Sequence, residues 1–151
     1  MCIRDRLYEG GIRVPFIVNQ PGMVPIQTLD NLIYFPDMMP TLAALAKGTK
    51  HLPKQINGIN ILPLFYGKQV DTDNRLLYWE FPGKQRAARK GDWKCVTIHP
   101  NQPLELYNLK EDPEETNNLA KKYPRRVKEF DEEMQRMHIP TPNWPQPGEQ
   151  F

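Results

Sequence analysis

Leu76-Leu77-Tyr78-Trp79-Glu80-Phe81, followed by Arg86-Ala87-Ala88-Arg89-Lys90-Gly91-Asp92-Trp93-Lys94-Cys95-Val96-Thr97-Ile98, is the stretch that decides the fold. The first run is rich in β-formers and reads as a strand. In the second, Arg86 to Lys90 and Trp93 to Ile98 flank Gly91-Asp92 and read as a hairpin. Leu104-Glu105-Leu106-Tyr107 alternates and adds another strand, so the unit is an antiparallel sheet of three or four strands. Pro124 to Met137 reads as a helix with Pro124 at its start and Val127, Phe130, Met134 and Met137 on its apolar face. Glu132 and Arg136 form an i,i+4 pair on its wet side. A sheet alone would leave a face bare, and this helix is long enough to cover it. Lys84, Arg86, Arg89, Lys90 and Lys94 are then assigned to the solvated face rather than to an anion site.

Working outward, Asp112-Pro113-Glu114-Glu115 reads as a turn that starts helical structure, its carboxylates serving capping and the helix dipole. The tail from Ile139 to Phe151, with Pro140, Pro142, Pro145 and Pro147, reads as an extended strap or a disordered end. Upstream, Gly10-Gly11 is a turn signal, and Arg13 to Val18 reads as a buried strand ended by Pro21-Gly22. Asp37 to Lys47 reads as a helix, with Asp37 capping its first amides, Met38, Leu42 and Leu45 on one face, and Gly48 as the C-cap. Gly58 to Phe65 is a turn leading into a short buried helix or extended segment. Val70 to Asn74 is polar linker. The fold class is therefore α/β, with a small antiparallel-sheet and helix unit at the C-terminal side.

Composition narrows the function. The charged fraction of 25% and hydrophobic fraction of 39% suit a folded domain. Twenty basic residues against 18 acidic leave a net charge of +2, so no global field favours nucleic acid or an anionic membrane. No apolar run is long enough to suggest a membrane span. Cys2 and Cys95 have no metal-knuckle spacing, and Cys95 reads as a buried free thiol. His51, His99 and His138 stand apart from other ligand-type residues and read as structural or solvated. Met1-Cys2-Ile3-Arg4-Asp5-Arg6 has no signal-peptide features and reads as a non-native leader.

Several stretches resemble, in order, sulfatases of the alkaline-phosphatase-like superfamily. Leu7 to Val18, reading LYEGGIRVPFIV, is similar to the family's YEGG-[IV]-R segment. Asp37 with Pro40-Thr41-Leu42 resembles its D-x-x-P-T-L helix. Gly58, Leu62-Pro63-Leu64 and Gly67 resemble its D-G-x-S-L-L-P-L-L-x-G stretch, with Asn57 in place of Asp. Arg89-Lys90-Gly91-Asp92-Trp93-Lys94 resembles its R-x-G-D-[WY]-K hairpin. Leu106-Tyr107-Asn108-Leu109, Asp112-Pro113, Glu115 and Asn118-Leu119-Ala120 resemble its L-Y-D-L-x-x-D-P-x-E-x-x-N-L-A run.

The resemblance implies a division into residues 7–67, the end of an α/β catalytic domain, and 68–138, the sheet and helix subdomain. It implies hydrolysis of sulfate esters of a small molecule or carbohydrate, by a formylglycine nucleophile and a Ca²⁺ held by carboxylates, in a secreted or periplasmic protein. The nucleophile motif and the metal ligands are expected upstream, so no catalytic or metal residue is assigned here and this stretch alone is expected to be inactive. The family's sulfate-contacting Lys stands four residues before the Tyr of YEGG. Arg4 occupies that place and is the substrate-binding candidate. Glu9, Gly10, Gly11 and Arg13 are expected to shape the turn beside the site, Arg13 pairing with a carboxylate, and the loop from Pro82 to Arg89 to border the leaving group. A phosphodiesterase or phosphonate hydrolase of the same superfamily, and a non-catalytic binding module, are the alternatives.

Overall fold

The computed structural model describes residues 7–81, 85–99 and 101–142. The chain divides into two compact units, one drawn from Met1–Val14 and Arg75–Phe151, the other being Pro15–Asn74. The segment 7–14, grouped by the sequence with 15–67, thus packs with the C-terminal sheet.

In the first unit, strands β1 (Leu76–Phe81), β2 (Gln85–Lys90), β3 (Trp93–Thr97) and β4 (Glu105–Asn108) form an antiparallel sheet in the order β1-β2-β3-β4. The hairpin is in register as the sequence implies, Lys90 facing Trp93 and Arg89 facing Lys94 across a turn in which Gly91 has φ 56°. Successive side chains alternate between two faces. Ala88, Cys95 and Leu106 point to one face, where Phe130 and Met134 of helix α4 (Pro124–Met137) complete a buried cluster. Ala87, Val96 and Tyr107 point to the other, and there Leu7, Leu109, Tyr8 and Ile12 cover them. Helix α1 (Glu9–Ile12) runs through this second cover. Both sheet faces are therefore dry, which the sequence reading did not anticipate.

Along α4 the apolar stripe is as expected, but the ion pairs differ. Arg136 reaches Glu133 at 2.5 Å, and Glu132 lies 3.8 Å from Lys128. No helix starts at Asp112. Its carboxylate accepts hydrogen bonds from the backbone N–H of Thr116 and Asn117 at 3.1 and 2.8 Å, closing a loop, and these bonds hold its pKa below the ordinary carboxylate range.

Cys95 is a free, fully buried thiol, and burial pushes its pKa up to about 12. A thiol that ionises less readily when folded adds stability below its unfolded pKa and loses it as pH rises through the folded value. The chain is expected to lose stability above about pH 9, and Cys95→Ala is expected to flatten that limb. Urea titrations of both proteins between neutral and alkaline pH check this. Native Cys95 should also resist iodoacetamide until the chain unfolds.

The second unit is built on helix α2 (Met38–Leu45), helix α3 (Leu62–Phe65), and two 3₁₀ turns at Phe35–Asp37 and Thr49–His51. Asp37 does not cap α2. Its two oxygens accept the backbone N–H groups of Tyr34 at 3.0 Å and Ile59 at 2.9 Å. One turn on, the Thr41 hydroxyl accepts the N–H of Ile61 at 3.0 Å. Both side chains are buried, so the D-x-x-P-T pattern ties α2 to the strap at 58–61. Gly58 is required there, since a Cβ would lie 1.9 Å from the Pro36 carbonyl oxygen. At the far end of α2 the left-handed residue is Lys47 (φ 56°), not Gly48, whose N–H donates to the Ala43 carbonyl at 2.8 Å.

One sequence expectation fails for want of a neighbour. Arg13–Val18 forms no strand, and Val14 and Ile17 are exposed. Leu42 and Leu45, which the sequence places on one face of α2, are exposed together with Met39, as expected for a stretch that lacks most of the central sheet. A strand needs a neighbouring ladder and an apolar helix face needs a cover, and the described residues supply neither to these segments.

Candidate functional site

The richest electrostatic arrangement lies on the sheet face covered by residues 7–12. Lys94 on β3 has no exposed side-chain surface. Its Nζ lies 2.9 Å from Glu9 Oε1 and 2.9 Å from Glu115 Oε1. Arg89, its register partner on β2, approaches the other Glu9 oxygen at 3.4 Å. Glu115 Oε2 accepts the backbone N–H of Glu9 at 2.5 Å, so this carboxylate holds both the buried ammonium and the main chain of α1. Glu115 sits at φ 56°, a left-handed conformation rare for a residue with a Cβ, and so turns its side chain under the sheet. Burial pushes its pKa up, and the bond to Lys94 opposes that shift.

Beside this cluster, the Glu105 carboxylate accepts hydrogen bonds from Tyr8 at 2.5 Å and Tyr107 at 2.9 Å. Burial, and then the bond to Glu105, keep the Tyr107 hydroxyl protonated well above its ordinary range. Tyr8, Glu9, Gly10, Arg13, Tyr107 and Glu115 line an open cleft of about 630 Å³.

Several sequence assignments change here. The sequence assigns Lys94 and Arg89 to a solvated face, but residues 7–12 cover that face, and Lys94 is sealed. Glu115, a capping or dipole carboxylate by sequence, is a buried ion-pair partner. Arg13 is exposed, and no carboxylate of the described residues pairs with it. Arg86 points to the opposite face, where it lies 3.8 Å from Asp131 of α4. His51 and His99 are exposed, and His138 Nδ1 lies 2.5 Å from Glu80. Arg4, Cys2, Lys84 and the loop tip at 82–84 lie outside the described residues, as does most of the tail.

The described residues do not fit a calcium centre. Among the described residues no three His, Cys, Asp or Glu side chains converge to hold a metal ion. The Glu9 and Glu115 carboxylates already converge on the Lys94 ammonium, which occupies the place a cation would take.

The mixed α/β fold, with its four-stranded antiparallel sheet and helices, matches that of sulfatase structures. The chain belongs to the N-sulphoglucosamine sulphohydrolase C-terminal family, whose model matches residues 4–139. It is 33% identical over 130 residues to an uncharacterised sulfatase of Schizosaccharomyces pombe, covering 77% of this chain and 23% of that protein. It is 30% identical over 140 residues to arylsulfatase K of Gallus gallus, covering 83% of this chain and 25% of that one. A sulfatase structure from a Bacteroides thetaiotaomicron locus for metabolism of multiple glycosaminoglycans superposes with TM-score 0.76 at 28% identity, over 87% of this chain and 30% of that chain. The chain thus spans about a quarter of the length of these curated relatives. No helix of the described residues is long and apolar enough to cross a membrane.

Proposed function

We propose that this chain is the C-terminal part of an enzyme that hydrolyses sulfate esters of a small molecule or carbohydrate, and that by itself it turns over no substrate. The observation that carries the reading is the family match from residue 4 to residue 139, which includes every element that builds the Glu9–Lys94–Glu115 cluster. In this reading the formylglycine nucleophile and the calcium ligands belong to polypeptide preceding Leu7, and the protein works outside the cytoplasm, secreted or periplasmic. The place four residues before Tyr8 then presents a cation to the sulfate group. What the chain's own residues contribute is scaffold: a dry sheet, the pinned segment 7–14, and the open cleft beside it.

The test is turnover of 4-nitrophenyl sulfate with added Ca²⁺, by the purified chain and by the full-length protein that carries it. The expected result is activity in the longer protein and none in the chain. Turnover by the chain alone would overturn the inactivity claim, and an inert full-length protein would overturn the sulfatase assignment.

A further inference from the structure

The segment Lys121-Lys122-Tyr123-Pro124-Arg125-Arg126-Val127-Lys128 holds five cations and no acid. The whole chain is only +2, so the rest of it is net acidic. All five cations are exposed. Lys128 lies 3.8 Å from Glu132, whereas no carboxylate of the described residues is within ion-pair reach of Lys121, Lys122, Arg125 or Arg126. Helix α4 begins inside this segment and has no acidic residue in its first turn. A helix N-terminus carries partial positive charge, so cations there oppose the dipole and one another. Stability alone does not explain the arrangement, and an anion from outside would relieve it.

Two of the cations are held in place. The Arg126 guanidinium lies 4.3 Å from the Trp93 ring centroid, and Lys122 Nζ lies 5.3 Å from that of Tyr123. The two rings meet edge to face at 5.2 Å. A ring attracts a cation through its face and takes none of its N–H donors, so both heads keep donors for an anion. The backbone beneath is fixed as well. Lys122 and Tyr123 donate their N–H groups to the Leu119 carbonyl at 3.0 and 3.1 Å, and the Leu119 N–H donates to the Leu106 carbonyl on β4 at 2.8 Å. Trp93, Lys122 and Tyr123 also line a cleft of about 530 Å³ together with Asn108, Thr116 and Asn117. Amide and hydroxyl side chains of this kind both donate to and accept from sugar hydroxyls. Glu111 and Asp112 share the lining, so the cleft suits neutral hydroxyls and leaves anionic groups to the cations beside it.

We propose that this patch docks a sulfated polysaccharide, with sulfates on Lys121, Lys122, Arg125 and Arg126 and sugar hydroxyls in the adjoining cleft. The choice of sulfate as the anion rests on the sulfatase reading above; the cations and the cleft stand without it. Nucleic acid fits less well, since its bases stack on open aromatic faces and here a cation lies over each ring. A membrane surface would need a free apolar helix face, and Phe130 and Met134 of α4 are packed on the sheet.

The experiment measures binding of heparin, a sulfated glycosaminoglycan, to the full-length protein that carries this chain. The patch variant is Lys122→Gln, Arg125→Gln, Arg126→Gln. The charge-matched control is Lys50→Gln, Lys54→Gln, Lys68→Gln, at exposed lysines of the other unit. The patch variant is expected to raise the heparin Kd at least about tenfold and to flatten its salt dependence, while the control stays near wild type. Turnover of 4-nitrophenyl sulfate, too small to span the patch, should be unchanged in both. Should Arg126→Gln loosen the packing on Trp93, seen as a lower urea midpoint, Lys121→Gln with Arg125→Gln tests the same surface without touching either ring. Equal heparin affinity in wild type and patch variants, or equal losses in patch and control, overturns the docking site. Equal binding of chemically desulfated heparin overturns the role of sulfate. Duplex DNA or phosphatidylserine vesicles bound through the patch as tightly as heparin overturn the polysaccharide as its partner. A full-length protein inert toward 4-nitrophenyl sulfate sinks the sulfatase reading, and the heparin comparison then decides the docking site by itself.

Discussion

Lys94→Ala is expected to cost about 3–5 kcal/mol, the range for breaking a buried ion pair by removing one partner. The reason is the state left behind. Glu9 and Glu115 stay buried on the sheet face, with only the partly exposed Arg89 nearby to offset them. Urea unfolding at neutral pH should show a lower midpoint with an unchanged slope. Arg89→Ala is the internal control. Its pairing distance is 3.4 Å and about a quarter of its side chain is in water, so its loss should stay below about 1 kcal/mol. The pH dependence carries a definite sign. Burial already raises the Glu115 pKa in the folded chain, and removing Lys94 takes away the main opposing influence. An acid whose folded pKa is raised contributes stability when protonated and loses it as pH rises through the folded value. The deficit of Lys94→Ala should therefore shrink on acidification toward about pH 4. A deficit that is flat with pH would mean that the carboxylates reach water in the variant.

Gly58→Ala is the second large effect, and it acts in the other unit. The added Cβ would meet backbone atoms only: the Pro36 carbonyl oxygen at 1.9 Å, its carbon at 2.4 Å, and the Asp37 nitrogen at 2.8 Å. No side chain can swing aside to relieve this. The strap must move off α2, and the Asp37 and Thr41 bonds to Ile59 and Ile61 go with it. A cost of about 3 kcal/mol or more is expected, at the upper end for overpacking, because two buried polar side chains lose partners as well. Amide exchange at Ile59 and Ile61 should rise sharply while the sheet of the other unit is unaffected. Gly48→Ala, whose nearest obstacle lies at 3.8 Å, should change stability by less than about 0.5 kcal/mol. If the two substitutions prove equal, the close approach of 36 and 58 is not real.

The exposed apolar residues of Pro15–Asn74 fit the proposal that this chain is part of a longer enzyme. Ile17, Ile26, Phe35, Met39, Leu42 and Leu45 are all exposed. They would be a liability on a free surface. They are what the sulfatase reading expects of a region matching about a quarter of its relatives' length. In that reading Arg13–Val18 lacks a paired neighbour rather than strand propensity.

Local signals in the chain were sufficient for the strands from Leu76 onward, the Gly91-Asp92 hairpin, the stripe on α4, the buried thiol at Cys95 and the family to which the ordered motifs point. Each rests on interactions within a few residues or on a period that the residues themselves carry. The tertiary structure alone decided which sheet face is wet, and so what Lys94 and Glu115 do. Alternation along β3 shows that Lys94 and Val96 share a face, but it is silent on what covers that face. The cover is residues 7–12, returning from some eighty residues upstream, and no local pattern records that return. Burial is a property of distant neighbours, and it turned a row of surface-looking charges into a clamp.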